Sequence, residues 1–186
     1  MTPIAAFQRR GPMQHRGITL FVAATLIAAI ACGSTSTDII PTGVNTNLLV
    51  TFKATMNGAS QVPATTSAGT GTFSATLDTA TNIFTYDITF TGLSAAAILA
   101  HIHGPATTSQ AGAAVLDFAS LAGATFDLGV SSGKGHGSVV LNASTSITAG
   151  MNGDSLRKLL FAGLTYANIH TTTNAGGEIR GQIIKQ

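Results

Sequence analysis

Cysteine occurs once in these 186 residues, at Cys32, so no internal disulfide can staple the chain and no thiolate pair can hold a metal. Charge is scarce as well, at 9% of residues. The excess of bases behind the formal charge of +2 and the pI of about 9.0 comes from Arg9, Arg10 and Arg16 near the amino terminus. After Cys32, six bases face seven acids, which leaves no basic patch to pair with phosphates and excludes nucleic acid as a partner. The sequence has no P-loop and no dinucleotide fingerprint. Glu178 has no second carboxylate placed to make an acid–base pair with it, because the other acids fall in turns and at strand ends. A non-enzymatic protein is expected.

The amino-terminal residues 1–31 read as an export signal. Bases through Arg16 precede the apolar run Ile18 to Ala31, whose fourteen residues are short for a membrane span, which needs about 20. The true start is Met1 or Met13, since Met13 begins a signal of more usual length. Ala29-Ile30-Ala31-Cys32, followed by Gly33 and Ser34, resembles the bacterial lipobox, in which the cysteine is lipidated and becomes the new terminus. Ala29 stands where that pattern prefers leucine. Two or more acyl chains on Cys32 make a stable membrane anchor, where one chain is marginal. The expectation is an exported, envelope-anchored protein facing outside the cytoplasm, with residues 32–47 as a polar tether and residues 48–186 as a single domain.

Period-two alternation runs through that domain. Leu48, Val50, Phe52, Ala54 and Met56 share a face, and so do Phe73, Ala75 and Leu77, which Asp78 to Asn82 turn into Phe84, Tyr86, Ile88 and Phe90 as a hairpin. Further strands are expected at Ile98 to His103, from Val115, over Phe126 to Val130 and over Gly137 to Asn142, the last two around the turn SSGKG. Asp154 is placed to cap a short helix over SLRKLLFAG that Gly163 ends. Two strands joined at Asn174 to Gly177 close the chain. The fold class is all-β: an antiparallel sandwich or barrel, immunoglobulin-like or Greek-key, with one short helix.

Two similar phrases carry most of the polar chemistry. AHIHGP from Ala100 is echoed by ANIHTT from Ala167, and GTGTFSATL before the first matches GKGHGSVVL before the second, which suggests a duplicated unit. In a strand, His101 and His103 point to one face. If the phrases pair, His170 adds a third nitrogen, with Glu178 or Asp117 as an oxygen ligand, and three nitrogens suit zinc or copper. The competing expectation, and the preferred one, is that these are neutral rings in a hydrogen-bonded seam with no cofactor. Glu178 and Arg180 lie two apart on one face and are expected to form a structural ion pair. An even register of the last hairpin groups His170 with both and leaves Ile169, Ile179 and Ile183 for the core. His136 reads as a solvated turn residue.

AHIHGP, YANIHT and GGEIRGQI, with the opening FKATMNGASQVPATTSAGTGTFSATL, resemble the signature phrases of the CHRD domain, first named from chordin, over about Leu48 to Ile184. The matching positions are His101, His103, Gly104, Pro105, Tyr166, Asn168, His170, Thr171, Gly177, Glu178, Arg180 and Gly181. The resemblance implies an extracellular β-rich domain, immunoglobulin-like or barrel-like, and in chordin the domain accompanies modules that bind secreted growth factors. It implies no reaction. The partner expected here is an unidentified protein or envelope component.

Overall fold

The computed structural model describes residues 48–147 and 150–186. The export signal, Cys32 and the tether lie outside the described residues. Residues 48–186 belong to one compact unit. Its strands are β1 (Leu49–Asn57), β2 (Thr70–Asp78), β3 (Ile83–Thr91), β4 (Ala97–His103), β5 (Ala114–Asp117), β6 (Thr125–Phe126), β7 (Gly133–Val140), β8 (Tyr166–Thr171), β9 (Ile179–Gln182) and β10 (Ile184–Lys185). One helix, α1 (Gly153–Phe161), lies between β7 and β8. The strands pair antiparallel in one sheet of order β5-β4-β8-β9-β1-β2-β3-β7-β6, with β10 also on β1, and the sheet curls into a half-barrel. Of the two architectures expected, this is the barrel-like one.

Alternation decides the inner face. Phe52, Met56, Phe73, Leu77, Phe84, Tyr86 and Ile88 are buried, while Thr72, Ser74, Asp87 and Thr89 between them face out. The β2–β3 turn forms where the Asp78 carboxylate accepts from the N–H groups of Ala80 and Thr81, with Asn82 at φ 58°. Tyr86, buried among Phe73 and Phe118, donates its hydroxyl to the Phe118 carbonyl at 2.8 Å. The helix drops Leu156 and Leu160 into the same core.

Three local expectations change. The cap of α1 is Asn152, whose side chain accepts from Ser155 N–H, while Asp154 sits in the first turn and pairs with Arg157 at 3.3 Å. The strand expected over Phe126 to Val130 stops at Phe126, because Gly129 takes φ +80° and donates to the Ala97 carbonyl instead of a ladder partner. Gly133 to Gly135, expected in a turn, already pair with β3, so His136 lies on a strand, exposed and 2.9 Å from Asp87.

The last hairpin has the even register: Tyr166 lies opposite Gln182 and Asn168 opposite Arg180. Ala167, Ile169, Ile179 and Ile183 then fill the core. Every residue of β8 is nonetheless buried. A second layer therefore covers its outward face, and this is where the signature phrases meet.

Candidate functional site

Pairing of β4 with β8 sets His103 opposite Tyr166, His101 opposite Asn168 and Leu99 opposite His170. With Arg180 opposite Asn168 on β9, one face of three strands carries His101, His103, Tyr166, Asn168, His170 and Arg180. The loop that follows β4 roofs this face. Its path is fixed by Arg180, whose guanidinium donates to the carbonyls of Gln110 at 2.9 Å and Thr107 at 2.7 Å and lies 3.5 Å over the Tyr166 ring. Tyr166 in turn stacks on His103, with ring centres 4.9 Å apart. Gly104 enters the loop through a cis bond to Pro105, and Gly112 packs so close to it that a Cβ on Gly112 would stand 3.0 Å from the Gly104 Cα.

The three histidines converge as the echoing phrases suggest. His170 Nε2 is 3.3 Å from His101 Nδ1 and 3.3 Å from His103 Nε2. Their remaining contacts fix the tautomers. His103 Nδ1 faces the Gly112 carbonyl at 3.0 Å and His170 Nδ1 faces the Ala175 carbonyl at 2.9 Å. A carbonyl only accepts, so both Nδ1 atoms carry the proton and both Nε2 atoms present lone pairs. Burial lowers the basicity of all three rings. His103 falls to about 4, its carbonyl contact opposing burial and the neighbouring charges adding to it, and His101 is further lowered by His170. The triad is thus neutral at physiological pH, and its lone pairs are available.

Direct hydrogen bonds among the three rings leave one nitrogen without a proton to accept. His101 Nδ1–H can donate to His170 Nε2, but the His103 Nε2 lone pair then faces another acceptor at 3.3 Å with no proton between them. A cation at the common point would satisfy all three nitrogens. Three imidazoles on a tetrahedral zinc, each at about 2.05 Å, stand about 3.3 Å apart, the spacing of the two closest pairs here. Among the described residues this is the group of histidines and carboxylates whose ligand atoms all lie within 4.8 Å of one another.

Of the two carboxylates considered as oxygen ligands, Asp117 stays beside His101 and favours that ring's charged form, whereas Glu178 goes elsewhere. Asp117 lies opposite His101 across β4 and β5, with its Oδ1 accepting from Ala119 N–H. Glu178 is buried, and its carboxylate accepts from Ser67 Oγ, Ser94 N–H and Oγ, Thr171 Oγ1 and Asn174 Nδ2 at 2.5–3.2 Å. It makes no ion pair with Arg180. The hairpin explains why: Gly177 takes φ +119°, Glu178 N–H bonds to Ile169, and the side chain meets Thr171, on the opposite face from His170. The carboxylate instead ties the loops at Ser67, Ser94 and Asn174 to β8. On the ladder face, Asn168 accepts from Gln61 Nε2 at 2.6 Å, which brings the loop after β1 over the strands.

Burial works against the charge on Glu178, but the bonds from Ser67, Thr171 and Ser94 outweigh it and hold its pKa at about 2, against an ordinary 4.5. A depressed carboxyl contributes stability that is fully present above about pH 4.5 and is lost as pH falls through that value towards 2. Glu178→Gln is expected to be less stable at neutral pH and to show a flatter loss of stability between pH 4.5 and 2, as measured by urea unfolding across that window. The histidines titrate in both proteins and cancel in the comparison. Equal slopes would mean that this carboxyl ionises alike folded and unfolded.

No curated protein and no solved structure matches the chain significantly. The family model of the CHRD domain matches residues 52–183, which includes every signature residue placed above and runs from the middle of β1 to the end of the last hairpin. The chain belongs to the CHRD domain family.

Proposed function

We propose that this chain is an exported, non-enzymatic binding module whose ligand is a metal ion, zinc or copper, held by His101 Nδ1, His103 Nε2 and His170 Nε2. The observation that carries the reading is the pair of Nε2 lone pairs at 3.3 Å, each fixed by a backbone carbonyl on the far side of its ring. Imidazole-only donors favour zinc or copper over magnesium or calcium, which take oxygen. A binding role rather than catalysis fits a site whose neighbouring polar groups, Arg180, Tyr166 and Asn168, are committed to holding loops in place. Elemental analysis of the purified protein is expected to show about one zinc or copper per chain, and chelation is expected to lower its melting temperature. A metal-free protein that neither takes up zinc or copper nor changes its melting temperature when either is added would sink the reading and return the triad to a structural seam.

The same proposal places the module at the cell envelope, anchored through a lipid on Cys32. Its support is the lipobox-like Ala29-Ile30-Ala31-Cys32 after an apolar run, with the polar tether of residues 33–47 between the cysteine and β1. No described helix is long and apolar enough to cross a membrane. Cys32→Ser is expected to release the protein into the soluble fraction or leave an unprocessed precursor. A variant that is processed and still fractionates with membranes would refute the anchor.

A further inference from the structure

Where the C-terminal turn of α1 meets β1 and β10, apolar side chains stand in solvent. Leu49 is 58% exposed, Ile184 49% and Phe161 41%. Phe161 and Ile184 meet at the end of α1, and Leu49 lies four residues along β1 from Lys53, the partner of Ile184. The Phe161 ring packs on Phe52 of β1 and lies 5.4 Å from the Lys185 ammonium, Ile184 pairs with Lys53, and a Cβ on Gly163 would meet Ile184. A groove lined by Thr79, Arg157, Lys158, Phe161 and Ala162 continues the surface to Leu48, whose carbonyl accepts from Thr79 N–H.

The charges are sorted around it. Lys53, Arg157, Lys158 and Lys185 flank this surface against Asp78 and Asp154, whereas the rest of residues 48–186 hold two bases, Lys134 and Arg180, against four acids. Asp154 is engaged by Arg157, and Asp78 by its own turn. The three lysines therefore remain to meet an outside anion. Exposed hydrocarbon ringed by lysine is the chemistry of an interface with anionic lipid, in which the apolar groups enter the headgroup layer and the ammonium groups meet phosphate.

We propose that the surface of Leu49, Phe161 and Ile184, with Lys53, Lys158 and Lys185, rests on an anionic phospholipid bilayer. Leu48, where the described residues begin, lies beside this surface. Fifteen residues, Gly33 to Asn47, separate Cys32 from Leu48, a reach of at most about 50 Å of chain. Proximity to the bilayer rests on the anchoring read above, whereas the affinity of the surface does not.

The test uses the compact unit from Gly43 to Gln186, which contains the whole core and lacks Cys32, so a failed anchor and a failed surface are read separately. Its binding to phosphatidylglycerol and to phosphatidylcholine vesicles is measured by cosedimentation. The expected result is binding to phosphatidylglycerol only, weakened at about 0.5 M salt. Each lysine at such a surface contributes about fivefold, so the Lys158→Glu, Lys185→Glu double variant should bind at least about 25-fold more weakly with its circular dichroism unchanged. Equal binding to both vesicles, no binding at millimolar lipid, or an unaffected double variant overturns the proposal. A concentration-dependent dimer that the double variant abolishes also overturns it and assigns the surface to a second copy of the chain.

Discussion

His170→Ala is expected to cost at least about 100-fold in affinity for zinc or copper. His170 is the hub of the triad, since its Nε2 is the atom within 3.3 Å of both other ligand nitrogens. Loss of a partner one shell further out already costs about 10–100-fold; loss of a ligand removes the coordinate bond itself. The variant leaves His101 and His103 on one strand, two residues apart, with their ring centres 5.4 Å from each other. Competition titration against a chromogenic chelator measures the change, and thermal melts of both metal-free proteins give the structural part. Burying a neutral imidazole whose neighbour is an acceptor favours removal slightly, while losing its bond to the Ala175 carbonyl opposes it, so the metal-free melts should differ little. A large loss of metal-free stability with unchanged metal affinity would identify His170 as a structural residue.

Convergence of the histidines was legible because it needs only parity and pairing. Residues 101 and 103 share a face in any strand, and two phrases with the same order of Ala, Ile and His pair most simply with each other. The even register of the last hairpin followed from the same alternation, because only it buries Ile169, Ile179 and Ile183 together. What the residues left open is the tautomer of each ring. That depends on the carbonyls of Gly112 and Ala175, atoms every residue possesses, delivered by loops whose paths are set by Arg180 and by the Gly177 turn. The seam and the metal site differ only in those protons, so no side-chain pattern distinguishes them.

Glu178 and Arg180 teach the complementary lesson. Strand parity puts them on one face and opposite charge invites a pair, yet the positive φ at Gly177 turns the carboxylate out of the ladder before Ile179 restores it. Each charge is then satisfied by neutral partners: hydroxyls and amides for Glu178, carbonyls and an aromatic face for Arg180. Buried charges need satisfied hydrogen bonds more than they need each other. The same mechanism accounts for the lost strand after Phe126, where Gly129 reverses a segment whose apolar residues, Leu128 and Val130, end up exposed.

Phe84→Ala is expected to destabilise the domain by about 3–5 kcal/mol, a large share of the roughly 5–15 kcal/mol available to it. Phe84 is fully buried on β3, opposite Leu77 of β2 and Val139 of β7, with its ring edge-on to Phe52 at 6.3 Å. Truncation removes the ring from a place where three strands and the aromatic cluster meet, and backbone ladders on both sides of β3 prevent the strands from closing over the cavity. For a domain of this size the melting temperature should fall by roughly 10–20 °C. Ile83 supplies the control, because it is the adjacent residue on the outward face and is 41% exposed. Ile83→Ala deletes another large apolar side chain from the same strand, where Ile83 pairs with Val140, and should change stability by about 1 kcal/mol or less. The contrast isolates the face from the strand. If the two variants melted together, or if Ile83→Ala were the worse, β3 would present its other face to the core and the register of the β2–β3 hairpin would have to shift by one residue.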